Sequence, residues 1–245
     1  MATATRLGLS MTALQFAIGA LNDIVDAPAD MGRVPPKPIP SGWVDTDIAR
    51  GVAALAAGIG LLLAAPSGGG TFLVAVLVLL VGALYDLFAK GTRWSWLPFA
   101  VGIPLLPVYG WLGVTGDLPD FFAVLLPMAV LAGAGLAVSN ARVDLETDRA
   151  AGTRSVATAL GDDRSWWVGT ILFAAATLVG LVLGGTGDWA PGRIALVVVG
   201  TCLVAIGAGL GRGLGAGARR RAWEVQAIGA AIAATGWVAG SFPRP

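Results

Sequence analysis

Residues 7–30 read LGLSMTALQFAIGALNDIVDAPAD, an apolar run that ends in Asn22, Asp26 and Asp30. Residues 120–148 read DFFAVLLPMAVLAGAGLAVSNARVDLETD and end in the same pattern, N-x3-D-x3-D. Four-residue steps predict that the three oxygen-bearing side chains of each copy lie near one face of a helix. Two such faces brought together would form a dense cluster of carboxylates beside a membrane. Such a cluster suits a hard divalent cation, Mg²⁺ above all, and a phosphate-bearing ligand.

The composition indicates an integral membrane protein. Of the 245 residues, 56% are hydrophobic and only 13% are charged, and the mean hydropathy is +0.78. A soluble domain carries about 25% charged residues. The chain has no histidine and a single cysteine, Cys202, which excludes a disulfide framework, a cysteine cluster for zinc and acid–base chemistry by histidine. Any catalysis would rest on carboxylates, amides, hydroxyls, Lys, Arg and a hard metal.

Eight apolar segments predict an all-α, multi-pass transmembrane bundle. Each is close to the roughly 20 residues that a helix needs to cross the hydrocarbon core of a bilayer. We expect a single membrane domain over residues 1–245, and the 118-residue offset between the motifs suggests two four-helix halves, about 1–118 and 119–245. The predicted segments are 7–26, 48–66, 71–90, 96–113, 120–141, 166–187, 191–211 and 222–241.

The distribution of charge predicts the orientation of the bundle. On this topology 13 of the 16 Lys and Arg residues lie on the side that holds both motifs, together with 12 of the 15 acids. The excess of Lys and Arg indicates that this side is cytoplasmic, in a plasma membrane. The run Arg219-Arg220-Arg221 is interpreted as an orientation signal or a contact to lipid headgroups rather than as a site. The charged residues on the other side are Arg6, Arg193, Arg244, Asp117, Asp120 and Asp188.

Cations follow each acidic motif. Lys37 comes after the first copy and Arg149 and Arg154 come after the second, while Lys90 and Arg93 end the third apolar segment on the same side. Acids alone would repel a diphosphate, but acids that hold Mg²⁺ and are flanked by cations would attract one. For Lys90 and Arg93, snorkelling of a cation at the membrane edge explains the sequence equally well.

The acidic clusters also have a simpler interpretation. Acids where a helix leaves the membrane often form only a solvated helix end, but two copies at identical spacing favour a site. Pro28 complicates the first copy, because it lacks an N–H and disfavours regular helix around it. We therefore expect Asp30 to lie past a kink or in the loop.

At these residues the chain resembles the UbiA superfamily of intramembrane prenyltransferases. Asn22-Asp23…Asp26…Asp30 matches the NDxxDxxxD form of the family's first motif, and Lys37-Pro38-Ile39-Pro40-Ser41-Gly42 matches its continuation. Tyr85…Lys90…Arg93 resembles the family's tyrosine-plus-cation element. The stretch from Asp144 to Ser155 resembles the second motif of the menaquinone-type and chlorophyll-synthase-type branches, so that the resemblance covers nearly the whole chain.

The resemblance implies transfer of a prenyl group from an isoprenyl diphosphate to a hydrophobic acceptor, aromatic or lipid-like, within the lipid bilayer. It implies Mg²⁺ as the cofactor and no nucleic acid as a partner. The metal ligands would be Asn22, Asp26, Asp30, Asp144 and Asp148, with Asp26, Asp144 and Asp148 essential to catalysis. The diphosphate contacts would be Lys37, Lys90, Arg93 and Arg154, and further candidates are Asp23, Tyr85, Asn140 and Arg149.

Two alternatives remain open at this stage. The same superfamily includes terpene cyclases, in which the allylic cation closes on itself and no acceptor is used. A transporter or scaffold that binds a cation through its acids is the non-enzymatic alternative, although acids at helix ends rather than at mid-membrane argue against an ion pathway.

Family members usually have nine spans, and only 21 residues precede Asn22, so we expect one helix fewer here.

Overall fold

The computed structural model describes residues 1–32, 34–183, 190–212 and 215–239. Throughout these ranges the regular structure is helical and no strand is present. Arg33, Asp188 and Arg244, which enter the charge count, lie outside the described residues, as do the ends of the sixth and eighth predicted segments at 184–187 and 240–241. The α-helices are α1 Ala2–Asp26, α2 Thr46–Ala64, α3 Gly69–Leu84, α4 Leu97–Thr115, α5 Phe122–Val143, α6 Leu145–Ala150, α7 Val156–Leu160, α8 Asp162–Leu183, α9 Pro191–Leu210 and α10 Ala216–Ala239.

The predicted all-α membrane bundle is confirmed. Each of the eight apolar segments coincides with one long helix, namely α1 to α5 and α8 to α10. Seven of these helices, all except α10, are long and apolar enough to cross a membrane. The 24-residue helix α10 is as long as the others, but it carries the Arg219–Arg221 run near its start. The short helix α6, which contains Asp148, and the short helix α7, which follows the second acidic motif, were not predicted.

Local hydrogen bonds mark the start of α2 and the change from α-helix to π-helix at the end of α3. The Asp45 carboxylate accepts a hydrogen bond from the N–H of Asp47 at 2.7 Å and so caps the start of α2. At its C-terminal end α3 widens into one π-helical turn over Tyr85–Ala89, closed by the bond from Lys90 N–H to the carbonyl of Tyr85 at 2.8 Å. π-Helical turns of this kind are frequent at functional sites.

The described chain divides into two compact units. The first comprises Met1–Lys90 and Leu105–Leu118, and the second comprises Gly91–Pro104 and the residues from Pro119 onward, so that the division passes through α4. In the first unit α1 packs against α2 and α3. In the second, α5 packs against α8 and α10, and α9 packs against α10. The predicted halves 1–118 and 119–245 stay a prediction.

A series of hydrogen bonds between polar groups is buried within the core of the first unit. The hydroxyl of Tyr109 donates to Ser10 Oγ at 2.6 Å, and Ser10 Oγ in turn donates to the carbonyl of Gly60 at 2.6 Å. Both side chains are buried among Leu7, Leu14 and neighbouring apolar residues. Each hydroxyl therefore has a partner, which removes the large cost of an unsatisfied polar group away from water.

Glycines allow α9 and α10 to approach closely, and this gives a test of the fold. A Cβ at Gly200 would lie 2.4 Å from the backbone nitrogen of Ala233 and 2.5 Å from the carbonyl oxygen of Gly229. Small residues at helix interfaces are how membrane helices gain packing contacts. We expect Gly200→Ala to lower the free energy of unfolding by about 1–3 kcal/mol, because the neighbouring atoms are backbone and cannot yield.

Thermal unfolding in detergent measures this effect against a matched variant of the same helix. Among the described residues, a Cβ at Gly209 would meet no neighbouring side chain or helix within 4 Å, so Gly209→Ala is expected to be neutral or slightly stabilising. Equal unfolding midpoints for the two variants would contradict the close α9–α10 contact.

Candidate functional site

The first acidic motif begins on a helix and ends in the turn after it. Asn22 and Asp26 occupy the last turns of α1, which ends at Asp26. The turn that follows contains Pro28, and the N–H of Asp30 donates to the carbonyl of Asp26 at 3.0 Å. Asp30 is 8% exposed. The expectation that Asp30 lies beyond the regular helix is confirmed, and Pro28, which has no N–H to donate, accounts for the ending.

Lys37 forms ion pairs with two acids in the segment of the first motif. Its Nζ lies 2.9 Å from Asp23 Oδ1 and 2.9 Å from Asp30 Oδ2. Partial burial by itself lowers the pKa of Lys37, but the hydrogen bonds to Asp30 and Asp23 and the charges of both acids outweigh burial and raise the pKa above its ordinary value. Lys37 therefore stays charged and offsets part of the negative charge of the motif.

The π-helical turn of α3 brings a further acid to the first motif. Asn22 Nδ2 donates to Asp86 Oδ1 at 2.8 Å, and Lys90 forms an ion pair with Asp26. Asp86 is 4% exposed, and within the described chain its Oδ2 is buried without a hydrogen-bond partner. Because the amide nitrogen of Asn22 is committed to Asp86, its amide oxygen is the atom left to act as a ligand.

The sequence prediction gave Asp86 no role. Asp86 stands in the segment from Tyr85 to Arg93, directly after the candidate Tyr85. The available signal was an ionisable residue inside an apolar segment, which is a functional-site hypothesis by default. Tyr85 itself is half-buried and is the first residue of the π-helical turn.

The second acidic motif spans a break between two helices. Asn140 lies on α5, which ends at Val143, and Asp148 lies on α6. Asp144 joins the two helices with φ −99° and ψ 12°, and the N–H of Asp148 donates to its carbonyl at 2.8 Å. The prediction that each copy occupies one face of a single helix is therefore wrong. The non-helical backbone at Asp144 breaks the second copy, and the turn at Pro28 breaks the first.

The acids of the second motif are free to accept a ligand. Asp144 is exposed and Asp148 is half-buried. Within the described ranges neither carboxylate has a hydrogen bond or an ion pair, and the same is true of the Asn140 side chain. This differs from the first motif, where Asp23, Asp26 and Asp30 are each paired with a lysine.

A cationic cavity of about 1150 Å³ opens in the second unit. Three arginines and three threonines line it, and its lining includes no acid from the part of the chain that the structure describes. Guanidinium groups and hydroxyls donate the charge-assisted and neutral hydrogen bonds that phosphate oxygens accept. The structure thus brings together Arg93 and Arg154, which were predicted to contact diphosphate, and Arg149, which was a further candidate. The lining residues are Gly91, Thr92, Arg93, Trp94, Arg149, Ala151, Gly152, Thr153, Arg154, Thr158 and Ala159.

The residue types of the two motifs fit Mg²⁺. Carboxylate and amide oxygens are the ligands that this hard cation takes, and Asn22, Asp26, Asp30, Asp144 and Asp148 supply them. The buried Oδ2 of Asp86, which has no hydrogen-bond partner within the described chain, is a further carboxylate oxygen beside Asn22. Among the described residues no three acidic or cysteine side chains are already grouped closely enough to hold a metal ion. The predicted Mg²⁺ ligands stay a prediction.

The long apolar helices are those of a membrane protein, and the arginines of the cavity have the charge that an anionic ligand would need. Residues 2–223 match the model of the UbiA prenyltransferase family, and the chain belongs to this family. No curated protein sequence is significantly similar to this chain.

Solved structures of UbiA homologues share the fold. A homologue from Aeropyrum pernix K1, in its apo form, aligns with a TM-score of 0.77 at 20% identity, over 99% of this chain and 90% of its own. A homologue from Archaeoglobus fulgidus bound to GPP and Mg²⁺ aligns with a TM-score of 0.75 at 17% identity, over 96% and 88%. The same homologue bound to DMAPP and Mg²⁺ aligns with a TM-score of 0.71 at 19% identity, over 94% and 87%. At these identities the likeness establishes the fold.

Proposed function

We propose that this chain is a Mg²⁺-dependent intramembrane prenyltransferase that moves a prenyl group from an isoprenyl diphosphate to a hydrophobic acceptor. The observation that carries the proposal is the cavity lined by Arg93, Arg149 and Arg154. Arg149 follows Asp148 directly on α6, so an expected metal ligand and an arginine of the cavity share one short helix. The relatives bound to GPP or DMAPP together with Mg²⁺ support the same assignment.

The acids are proposed to hold the metal. Asn22, Asp26 and Asp30 of the first motif and Asp144 and Asp148 of the second would be the ligands. When bound, Mg²⁺ neutralises charge on the diphosphate and on its leaving form. The free carboxylates of Asp144 and Asp148 can accept the ion without giving up another partner.

The two lysines that pair with acids of the first motif are proposed to change partner when substrate binds. Lys90 pairs with Asp26, and Lys37 pairs with Asp23 and Asp30. A divalent cation at these acids would release both ammonium groups, which could then donate to diphosphate oxygens. The lysines would thus keep the acids neutralised before the ion arrives and contact the diphosphate afterwards.

The reaction then needs charge stabilisation and a dry surrounding. The bond between the prenyl C1 and the diphosphate oxygen breaks, the electron pair leaves with the diphosphate, and Arg93, Arg149 and Arg154 stabilise the charge on its oxygens. An allylic carbocation remains, which the apolar helices shelter from water. A nucleophilic atom of the acceptor bonds to C1, and the acceptor releases a proton to solvent.

The orientation and the branch of the family are also proposals. We place both acidic motifs on the cytoplasmic side of the plasma membrane, because Lys and Arg accumulate there along the sequence. The stretch from Asp144 to Ser155 favours the menaquinone-type or chlorophyll-synthase-type branch. The acceptor would then be an aromatic or tetrapyrrole compound.

The proposal is tested with purified protein, Mg²⁺ and radiolabelled prenyl diphosphates of several lengths, with and without a membrane lipid extract as the source of acceptor. Label in a prenylated lipid, formed only with the extract, is the expected result. Labelled hydrocarbon formed without the extract would identify a terpene cyclase instead. Unchanged diphosphate under every condition would reject both enzymatic functions.

A further inference from the structure

A cluster of charged residues with two buried arginines joins four helices of the second unit. Arg142 comes from the last turn of α5, Glu146 from α6, Asp162 from the start of α8 and Arg219 from α10. Arg142 is 6% exposed and Arg219 is 4% exposed. The interpretation of Arg219 as a contact to lipid headgroups is therefore wrong, since its side chain is buried within the protein. The interpretation of the Arg219–Arg221 run as an orientation signal stays a prediction. Its neighbours Arg220 and Arg221 are exposed.

The contacts in this cluster form a continuous path to the second acidic motif. Arg142 Nε and Nη2 donate to Asp162 Oδ1 at 2.9 and 2.8 Å, and Nη2 also donates to the carbonyl of Gly211 at 3.0 Å. Arg219 Nη1 lies 3.3 Å from the same Asp162 oxygen, and Arg219 Nη2 donates to Glu146 Oε1. Each of the two buried arginines is thus paired with a carboxylate, as a buried charge requires.

Glu146 stands between the two acids of the motif, Asp144 and Asp148. Its helix, α6, has six residues, too few to be stable without tertiary contacts. Its contacts include the fully buried side chain of Leu145, packing against α7, and the ion pair of Glu146 with Arg219. The apolar contact of Leu145 keeps α6 packed against the protein. The ion pair is directional, and it therefore also resists rotation of α6 about its own axis. The rotation of α6 decides where Asp148 is placed.

We propose that Arg219 is a positioning residue, which fixes α6 through Glu146 and so holds Asp144 and Asp148 in the arrangement that binds Mg²⁺. This inference rests on the proposed function, because it takes Asp144 and Asp148 as metal ligands. Arg219 belongs to the described chain's last helix, 71 residues after Asp148, and touches neither acid directly. It acts on the site only through the placement of α6.

Amide hydrogen exchange of the full-length protein tests the contact without any turnover. In Arg219→Gln the amides of α6 are expected to exchange about tenfold faster, because the helix opens locally more often. Arg220→Gln, which changes the exposed neighbour, is the matched control and should leave α6 unchanged. Glu146→Ala removes the half-exposed partner and leaves buried Arg219 paired with Asp162, so it tests the same contact in a variant whose core is intact.

The Mg²⁺ dependence of prenyl transfer tests the consequence for the site. In Arg219→Gln and Glu146→Ala the Mg²⁺ concentration for half-maximal rate is expected to rise about tenfold, as for other residues that orient metal ligands. The rate at saturating Mg²⁺ should fall less than the affinity does. A purely structural role would reduce the amount of active protein and leave the half-saturating concentration unchanged. Arg219→Lys keeps the charge but loses the planar guanidinium group. Its half-saturating Mg²⁺ concentration should therefore lie between those of the wild type and Arg219→Gln.

The outcomes separate this inference from the proposed function. Faster α6 exchange and a higher half-saturating Mg²⁺ concentration in Arg219→Gln and Glu146→Ala, with Arg220→Gln unchanged, support the positioning role. In the double variant Arg219→Gln/Glu146→Ala, the increases in α6 exchange and in the half-saturating Mg²⁺ concentration should be no larger than in Arg219→Gln alone. Wild-type exchange in α6 of both single variants would overturn the inference even if the protein is an active transferase. Absence of transfer by the wild-type protein would reject the proposed function, and the exchange result would still decide whether Arg219 holds α6.

Discussion

Asp144→Ala is expected to lower the rate of prenyl transfer about a thousandfold, because a lost metal ligand removes several kcal/mol of charge stabilisation from the departing diphosphate. Asp144 is exposed and, within the described ranges, has no hydrogen bond or ion pair. Its removal therefore leaves no buried cation without a partner, and the fold should be unaffected. The measurement is kcat/KM with a labelled prenyl diphosphate at saturating Mg²⁺, together with the midpoint of thermal unfolding.

Asp163→Ala is the matched control for this variant. Asp163 is also an exposed acid of the second unit, at the start of α8, and lies outside both motifs. It should retain wild-type kcat/KM. A kcat/KM for Asp144→Ala within a few-fold of that control would remove Asp144 from the metal site. Asp26→Ala is a less direct test, because it also leaves Lys90 without its partner.

Arg154→Ala is expected to raise the KM for the prenyl diphosphate between about tenfold and a hundredfold, since a hydrogen bond to a charged group contributes about 1.5–3 kcal/mol. Arg154 is exposed and lines the cavity with Arg93 and Arg149. The loss should appear in KM more than in kcat if the guanidinium binds the ground-state diphosphate and the leaving diphosphate equally. Steady-state kinetics over a range of diphosphate concentrations measures both quantities.

Arg164→Ala supplies the comparison for the arginine variant. Arg164 is an exposed arginine in the first turn of α8 and does not line the cavity. Its KM should match the wild type, while Arg154→Lys should lie between Arg154→Ala and the wild type because lysine keeps the charge without the planar fork. Equal KM values for Arg154→Ala and Arg164→Ala would show that the cavity is not the diphosphate site.

The sequence was sufficient for the membrane helices and for choosing the three arginines that line the cavity as candidates. Apolar runs of about 20 residues predict spans because the bilayer sets their length, whatever the tertiary packing. The candidates were chosen because they follow the second acidic motif or Tyr85 on the side of the membrane predicted to be cytoplasmic; they are Arg93, Arg149 and Arg154. Hydropathy also places the ends of α1 and α5 beside their acids, as the structure confirms for Asn22, Asp26 and Asn140.

The contacts within the motifs could not be derived in the same way. A spacing of four residues is satisfied by a continuous helix, and equally by the turn after Pro28 and the break at Asp144. In the Arg219–Arg221 run, neighbouring helical residues point about 100° apart, so that one can be buried while two are exposed. The sequence does not state which one faces the bundle, because that depends on how α5 and α10 pack.

The most direct test of the central claim is the binding of a non-hydrolysable prenyl thiolodiphosphate to the purified protein by calorimetry, with Mg²⁺ and again with excess chelator. If the two acidic motifs hold Mg²⁺ for a diphosphate, binding is expected with Mg²⁺ and should be lost with chelator, and Asp144→Ala should behave with Mg²⁺ as the wild type does with chelator. Equal affinity in Mg²⁺ and in chelator would contradict the account.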